Sequence, residues 1–356
     1  MVTPKFLHKN SNFHQELKDR VNQYFIENNK SATGNFSLYF KALFFFLAYI
    51  GLYVHLVYFT PPTWVALIEC VFLGCFTAAI GFNVMHDGGH GSFSKSKVIN
   101  YMAATSVNFL GASHIMWRMK HNIIHHTYTN IDGVDDDIEI KPYLRMCTSQ
   151  KKYKMHRFQH YYFWFLYMLL HLIWVFQTDY QKYFKQKIGN IPLKKMSIAE
   201  HFGFWGAKIM YAVLFMVIPI IKLGFWKWAI GFVIASMVTG FIISIVFQLA
   251  HTVENLDFPL PDTATNRIEN EWAIHQLHTT ANFATKNKLV SWLIGGLNFQ
   301  IEHHLFPKIS HVHYPAISKI IKQTCEEFDI KYNEFKRMRQ AIVSHAMYLR
   351  KMGQMA

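Results

Sequence analysis

Apolar residues in this chain are gathered into long blocks, and the charged residues lie between them. Four blocks are mostly apolar over about twenty residues, at about 39–59, 64–84, 203–222 and 228–250. Because about 20 such residues span a bilayer as a helix, the pattern predicts four transmembrane helices. They pair into two hairpins, the first turning at Pro61 and Pro62, and a single lysine, Lys208, lies near the start of the third block.

A fifth apolar block, residues 158–177, differs from the other four. It mixes Gln159, His160, His171 and Gln177 with many aromatic residues. That mixture favours a helix lying at the membrane interface over a membrane span.

Polar segments flank the blocks and divide the chain into three parts. Residues 1–38 form a polar, partly helical lead, 39–340 form the main membrane domain, and 341–356 form a C-terminal tail. The lead is charged and polar, so we expect no cleavable signal peptide. The predicted fold class is an all-α integral membrane protein.

The net charge of +14 could suggest a nucleic-acid partner, but the charges are dispersed and no motif that reads DNA or RNA is present. Lys and Arg number five in 1–38, ten in 85–157 and twelve in 251–356, whereas the linker 60–63 has none. By the positive-inside rule, the N-terminus, the middle region and the C-terminus all lie on the cytoplasmic side.

The four cysteines, Cys70, Cys75, Cys147 and Cys325, form no CxxC pair. We expect them to be small buried residues, and their spacing implies no disulfide framework.

Histidines are concentrated in three short clusters near the ends of the apolar blocks. Box one is HDGGH at 86–90, box two is HNIIHH at 121–126 and box three is QIEHH at 300–304. Boxes one and two each contain two histidines four residues apart, which share one face of a helix. Adjacent histidines point about 100° apart, so each HH pair can serve two metal ions.

The donor set favours a centre with two metal ions. The seven histidines of the boxes exceed the four ligands of a typical zinc site, and imidazole also suits iron, copper and nickel. The boxes contain no thiolate for an iron–sulfur cluster, and the chain has no CxxCH motif for covalent haem. Haem held between two histidines remains possible, but non-haem di-iron fits the HH pairs best.

One shared centre requires the three boxes to lie on one face of the membrane. Two spans precede box one, and the blocks 203–222 and 228–250 separate box two from box three. This number is even only if 158–177 does not cross, which agrees with its polar content.

The HxxxH, HxxxHH and [HQ]xxHH pattern resembles that of the membrane fatty acid desaturases. The run QIEHHLFP at 300–307 is similar to the front-end, linoleoyl-CoA desaturase-like branch, and the likeness covers roughly 35–340. The resemblance implies a helical membrane domain under a cytosolic helical cap that carries the boxes and holds two iron ions. It also implies O2-dependent insertion of a cis double bond into a long-chain fatty acyl group.

Carried over by this resemblance, the metal ligands are eight histidines: His86, His90, His121, His125, His126, His251, His303 and His304. Four further residues are possible ligands or supporting groups: Gln300, His278, Asp87 and Glu302. The acidic residues Asp135, Asp136 and Asp137 could orient imidazoles or form a solvated loop. We expect surface or supporting positions for the remaining candidates His114, His275, His311 and His313.

The implied reaction needs electrons from outside. The chain has neither an HPGG haem motif nor a GxGxxG nucleotide motif, so we expect a separate donor, either ferredoxin or cytochrome b5 with a reductase. The acyl carrier could be CoA, acyl-carrier protein or an intact lipid. Basic residues near box two could bind the carrier's anionic head group or membrane lipid: these are Arg118, Lys120, Arg145 and Lys152.

Two groups of alternatives remain. An acyl hydroxylase or a sphingolipid desaturase could use the same boxes, because the first hydrogen abstraction is shared. A membrane metal transporter or a haem electron carrier belongs to a different class. Transport sites lie near the bilayer midplane, whereas these boxes lie outside the apolar blocks, which argues against transport.

Overall fold

The computed structural model describes residues 3–7 and 12–355, and helices dominate it. The α-helices are α1 Phe13–Glu27, α2 Phe36–Val54, α3 Thr63–Ile80, α4 His86–His90, α5 Lys97–Thr105, α6 His114–Arg118, α7 His126–Tyr128, α8 Gln159–Ile173, α9 Asp179–Lys185, α10 Ile198–Ala212, α11 Ile218–Leu223, α12 Phe225–His251, α13 Trp272–His278, α14 Lys288–Leu293, α15 Gln300–Leu305, α16 Tyr314–Glu327 and α17 Met338–Gln354. Short strands pair as β1 Lys5–Phe6 with β4 Arg267–Ile268 (parallel), β2 Lys187–Ile188 with β3 Ile191–Pro192 (antiparallel), and β5 Asn282–Phe283 with β6 Glu334–Phe335 (parallel).

Four helices within the described residues are long and apolar enough to cross a membrane, which confirms the prediction from the apolar blocks. They run Phe36–Phe59, Thr63–His90, Ile198–Leu223 and Phe225–His251. Three of them contain a π-helical turn, and the one at Gly81–Met85 lies directly before box one. Such turns often occur at functional sites. Four of the eight observed ends lie three to six residues beyond the predicted ones, because these helices continue into their flanks, and the other four agree to within one residue.

Small residues let the spans approach one another closely. A Cβ atom on Gly74 would lie 2.5 Å from the carbonyl oxygen of Ala235. The hydroxyl of Thr239 donates to the Gly74 carbonyl at 3.1 Å. Glycine at such a crossing removes the side chain that would separate the two backbones, so α3 and α12 pack tightly.

The aromatic block forms α8, which continues through a π-helical turn at Trp174–Thr178 into α9. It is not among the four membrane-length helices of the described chain. It packs against α12, where a Cβ on Gly240 would lie 2.5 Å from the Met168 carbonyl oxygen. Phe163 and Tyr167 are buried on this side of α8, so the block is part of the helical packing around the spans.

The N-terminal and C-terminal segments complete the packing around box three. Phe13 and Leu17 of α1 share an apolar core with Leu277, Ile301 and Ile321. The C-terminal part of the chain forms two helices, α16 and α17, with β6 between them. The structure therefore encloses box three from several distant parts of the sequence.

Candidate metal centre

The histidine boxes lie at helix ends that meet in one buried region. Box one is the last turn of the second membrane-length helix, and His251 is the final residue of the fourth. Box two lies on the helical segment that follows α6, and the histidines of box three lie on α15. Seven of the eight imidazoles are buried, and His90 is half-buried.

The nitrogen atoms of these side chains form two main groups. In one, ligand atoms of His86, His90, His121 and His303 all lie within 4.8 Å of one another. In the other, those of His125, His251 and His304 do so. His126 lies within the same limit of His303 and His304. The arrangement thus has space for two ions, with His126 between the two groups.

Hydrogen bonds to the second ring nitrogen fix several imidazoles. His304 Nδ1 donates to Gln276 Oε1 at 2.8 Å, and His251 Nδ1 donates to the Thr279 carbonyl at 3.2 Å. His303 Nδ1 lies 3.1 Å from the Tyr314 hydroxyl. Metal-binding histidines usually donate their other N–H to such a partner, which fixes the tautomer and the ring orientation.

The nitrogens that face the centre lack partners. Among the eight candidate ligand histidines, five buried Nε2 atoms have no hydrogen-bond partner within the described residues: those of His90, His125, His251, His303 and His304. The Nε2 atom of His275, which belongs to neither group, also lacks one. An unsatisfied buried polar atom costs about 1–3 kcal/mol. Five in one region are expected where the atoms bind a metal, since the metal then replaces the missing hydrogen bonds.

The electrostatics keep most of these imidazoles neutral, as metal ligation requires. Burial lowers the pKa well below the usual value of histidine in four of them, and neighbouring imidazoles lower it further: His121, His126, His303 and His304. Burial also acts to lower the pKa of His125, but the charges of Asp135 and Asp137 outweigh it and raise the pKa.

An acidic segment supports box two. The Asp135 carboxylate accepts from His125 Nδ1 at 3.1 Å, and Asp137 lies 3.2 Å from the same nitrogen. Lys120 in turn contacts Asp137 at 2.6 Å, and Asp136 contacts Lys182 at 2.7 Å. The segment is therefore an ordered set of ion pairs beside the histidines.

Gln300 and His278 differ in where the structure places them. Gln300 is fully buried, and within the described chain neither atom of its amide has a partner. It lies three and four residues before His303 and His304, hence on the same helix face. The His278 side chain is 31% exposed and contacts Asp257 at 3.3 Å. It belongs to none of the metal-binding groups among the described residues.

Asp87 contacts a histidine outside the boxes. It accepts from Ser310 Oγ at 2.7 Å and from His311 Nδ1 at 3.0 Å. The Lys41 ammonium lies 3.0 Å from the other nitrogen of His311. These contacts link box one to the segment that follows box three.

Glu302 points away from the imidazoles. It accepts from Asn282 Nδ2 at 2.7 Å and from the Tyr332 hydroxyl at 2.8 Å. Burial raises the pKa of its carboxyl to about 7. Its contacts join α15 to β5 and the segment before β6.

Sequence reasoning missed three supporting residues, Gln276, Thr279 and Tyr314. Gln276 and Thr279 occur in the stretch HQLHTT, from which only the two histidines, His275 and His278, were selected. These polar residues flank a candidate ligand, and that position in the sequence is the signal that could have identified them as supporting groups. Trp117 was also missed, although its ring stacks on His121 with ring centroids 4.7 Å apart.

The donor set fits a pair of iron ions. The two groups of histidines offer imidazole nitrogen, which suits first-row transition metals. The groups of three and four nitrogens leave room for further ligands such as oxygen. The orphaned Nε2 atoms are the structural observation on which this fit rests.

Comparison with known proteins finds one matching family and several similar proteins. The model of the fatty acid desaturase family matches residues 62–336. An sn-1 linoleoyl-lipid 6-desaturase of Synechocystis sp. is 36% identical, over 98% of this chain and 97% of that protein. A protein of the same description from Arthrospira platensis is 34% identical, over 97% of this chain and 94% of its own length. An acyl-lipid (8-3)-desaturase of Physcomitrium patens is 34% identical, over 97% of this chain and 72% of that protein.

The family match covers all three boxes and both groups of histidine nitrogens. The similarity to the two linoleoyl-lipid desaturases extends over nearly the whole of each chain. The chain therefore belongs to the fatty acid desaturase family.

Proposed function

We propose that this protein inserts a cis double bond at carbon 6 of a linoleoyl chain while that chain is esterified to a membrane lipid. As a fatty acid desaturase it is an oxidoreductase. The reaction removes two hydrogens from adjacent methylenes and, with O2, two electrons and two protons, yields the alkene and two waters. The carrier and the position are proposed from the two relatives that are similar over their full length, both described as sn-1 linoleoyl-lipid 6-desaturases.

The proposal rests above all on the buried Nε2 atoms that lack partners. One iron would be held by His86, His90, His121 and His303, the other by His125, His251 and His304, with His126 available to either. Gln300 would hydrogen-bond a group inside the centre. When bound, the irons would supply the O2-dependent redox chemistry that an unactivated C–H bond requires.

A cavity among the membrane-length helices suits the methyl end of the acyl chain. Its volume is about 280 Å³, and it extends from Pro61 and Lys227 at the hairpin turns to Thr77 and Leu110. Thr77 precedes His86 by nine residues, or ~13 Å along a helix. Twelve bonds separate carbon 6 from the methyl end of an 18-carbon chain, at most ~15 Å when the chain is extended with C–C bonds of ~1.5 Å. The two cis double bonds of a linoleoyl chain shorten this span, so its methyl end would reach the inner end of the cavity.

A second pocket suits the polar end of the lipid. It has a volume of about 230 Å³ and is lined by Arg118, Lys194, Lys195 and His114. Cationic side chains at a membrane surface attract anionic head groups. We propose that the head group lies here, one helical turn before box two.

Trp117 would shield the reacting carbons between these two spaces. Its ring centroid lies 5.9 Å from that of His86 and 5.8 Å from that of His90. A Cβ on Gly89 would lie 2.2 Å from the same indole, so glycine is required for this contact. The indole thereby keeps water from one side of the centre and fixes where the chain can bend.

The membrane arrangement and the electron source are also proposed. The two pairs of spans would form hairpins beneath a cap that holds the boxes, with both termini on the cytoplasmic side. The excess of Lys and Arg outside the linker 60–63 supports this orientation. Electrons would come from ferredoxin, or from cytochrome b5 with its reductase.

Other reactions on this scaffold remain alternatives. A hydroxylase or a sphingolipid desaturase would use the same nitrogen groups, but the similar relatives named above are acyl-lipid desaturases. The family match argues against a metal transporter or a haem electron carrier.

The test is the lipid profile of a host that makes this protein together with a matched electron donor. We expect a new double bond at carbon 6 of linoleoyl lipids, located by mass spectrometry, and none with His125→Ala. His313→Ala is the matched control, since His313 contacts the Thr33 carbonyl at 3.2 Å rather than the centre, and it should retain activity. A hydroxylated product would exclude desaturation, and unchanged lipids with every donor would exclude the proposal.

A further inference from the structure

A buried ion pair lies outside the metal centre. Lys208 Nζ, on the third membrane-length helix, contacts Asp179 Oδ2 at 2.8 Å, and the two side chains are 5% and 1% exposed. Burying two charges carries a desolvation penalty that the pair's attraction often only offsets. Ionisable groups inside a membrane domain commonly have a functional role.

The other hydrogen bonds of the pair end mainly on one loop, residues 110–113. Lys208 Nζ donates to the Gly111 carbonyl at 2.8 Å, and the Ser113 backbone N–H donates to Asp179 Oδ2 at 2.7 Å. His171 Nε2 lies 2.9 Å from the Leu110 carbonyl. The Lys208 ammonium thus holds the loop by a backbone carbonyl, and the Asp179 carboxylate holds it by a backbone N–H group.

The loop has little freedom to move elsewhere. Gly111 has a φ of +87°, which disfavours other residues, and a Cβ there would lie 2.7 Å from Val175 and 2.8 Å from Tyr211. The indole of Trp174 donates to Asp179 Oδ1 at 3.0 Å. The position of the carboxylate therefore fixes the position of the loop.

This loop connects the two spaces proposed for the substrate. Leu110 lines the cavity among the spans, and His114 lines the pocket for the polar end. Ser113 is the N-cap of the helix that leads to Trp117 and His121, and its hydroxyl accepts from the Met116 N–H at 3.4 Å. A shift at Ser113 would move both the wall of the acyl path and the indole beside the centre.

We propose that Asp179 and Lys208 are positioning residues that set which methylenes of the acyl chain face the metal centre. They act through the loop 110–113 and Trp117, and they determine the position of the new double bond. This inference rests on the proposed function.

The experiment compares full-length Asp179→Asn, Lys208→Met and the double variant with wild type. Tyr183→Phe is the matched control: it lies one turn beyond Asp179 and loses only contacts with His201 and Trp205. Each protein is purified in lipid and assayed with a linoleoyl phospholipid that has an anionic head group, for iron content, kcat, KM and double-bond position. We expect Asp179→Asn to keep its iron, to lose about 10- to 100-fold in kcat, since small misplacements of substrate cost this much, and to yield a mixture of positions. Tyr183→Phe should behave as wild type.

The double variant keeps the test decisive if a single variant fails to fold. Removing both charges leaves no unpaired buried ion, so the double variant should accumulate and bind iron but still place the double bond imprecisely. A single double-bond position at the wild-type rate in Asp179→Asn or in the double variant would overturn the inference. Loss of iron in the double variant would overturn it as well, because the pair would then support the metal centre itself. If wild type forms no alkene, the proposed function fails instead.

Discussion

At the scale of single residues, several candidate ligand histidines have a hydrogen-bond partner that holds the ring. The partners are chemically different: a carboxylate for His125, a backbone carbonyl for His251 and an amide oxygen for His304. Losing such a partner typically lowers metal affinity 10- to 100-fold. Supporting residues should therefore be visible in metal retention even where they never contact the metal.

Gln276→Leu tests this dependence. The substitution removes the acceptor of His304 Nδ1, so we expect the variant to lose iron to a chelator at about 10- to 100-fold lower chelator concentration than wild type. His278→Ala is the control, because His278 lies on the same helix α13 but contacts Asp257. Metal content measured after dialysis decides the matter, and equal retention in wild type and Gln276→Leu would contradict the expectation.

At the scale of helices, the metal centre depends on how closely α8, α3 and α12 approach. A Cβ atom added to Gly74 or to Gly240 would lie 2.5 Å from a carbonyl oxygen of a neighbouring helix. His251 lies eleven residues after Gly240 on the same helix, so a displacement of α12 would also move this imidazole.

Gly240→Ala should therefore destabilise the protein. Overpacking at a tight contact costs about 1–3 kcal/mol, and the added methyl meets the Met168 carbonyl oxygen. Gly203→Ala is the matched change, since a Cβ there meets nothing within 4 Å; it should be neutral or stabilising by up to about 1 kcal/mol. Thermal unfolding in detergent compares the two, and equal midpoints would argue against the tight crossing.

At the scale of the whole molecule, two cavities and the metal centre together would define one acyl path. Thr77→Phe places a ring at the inner end of the larger cavity, which Thr77 lines. We expect the variant to lose activity on 18-carbon chains and to retain it on shorter ones. Ala66→Phe is the control, because Ala66 lines the same cavity toward the hairpin turn. The measurement is a competition between acyl chains of different length, with the products identified by mass spectrometry. If both variants kept the wild-type preference for chain length, the proposed acyl path would be wrong.

The proposed orientation in the membrane has its own test. A cysteine at Thr63, beside the first hairpin turn, should react with a maleimide that cannot cross membranes when it is added outside intact cells. A cysteine at Lys319, exposed on α16, should react only after the cells are opened. Of the native cysteines, Cys70, Cys147 and Cys325 are buried and Cys75 is half-buried, so the unmodified protein serves as background. The reverse labelling pattern would place the cap on the other side.

The sequence by itself determined the four membrane-length helices and the histidine boxes. Both are local patterns: about 20 apolar residues satisfy the length of a bilayer, and imidazoles at i and i+4 share a helix face. His251 could be proposed from its place at the end of an apolar block, by resemblance to the family.

The tertiary structure decided which distant residues meet. It brought Gln276 and Tyr314 to the rings of box three, directed His278 toward Asp257, and joined Lys208 to Asp179. These contacts link segments far apart in the chain, and their geometry depends on helix packing at close crossings such as Gly240. No periodicity along the sequence encodes such contacts, because each arises only when separate helices bury their apolar faces against one another.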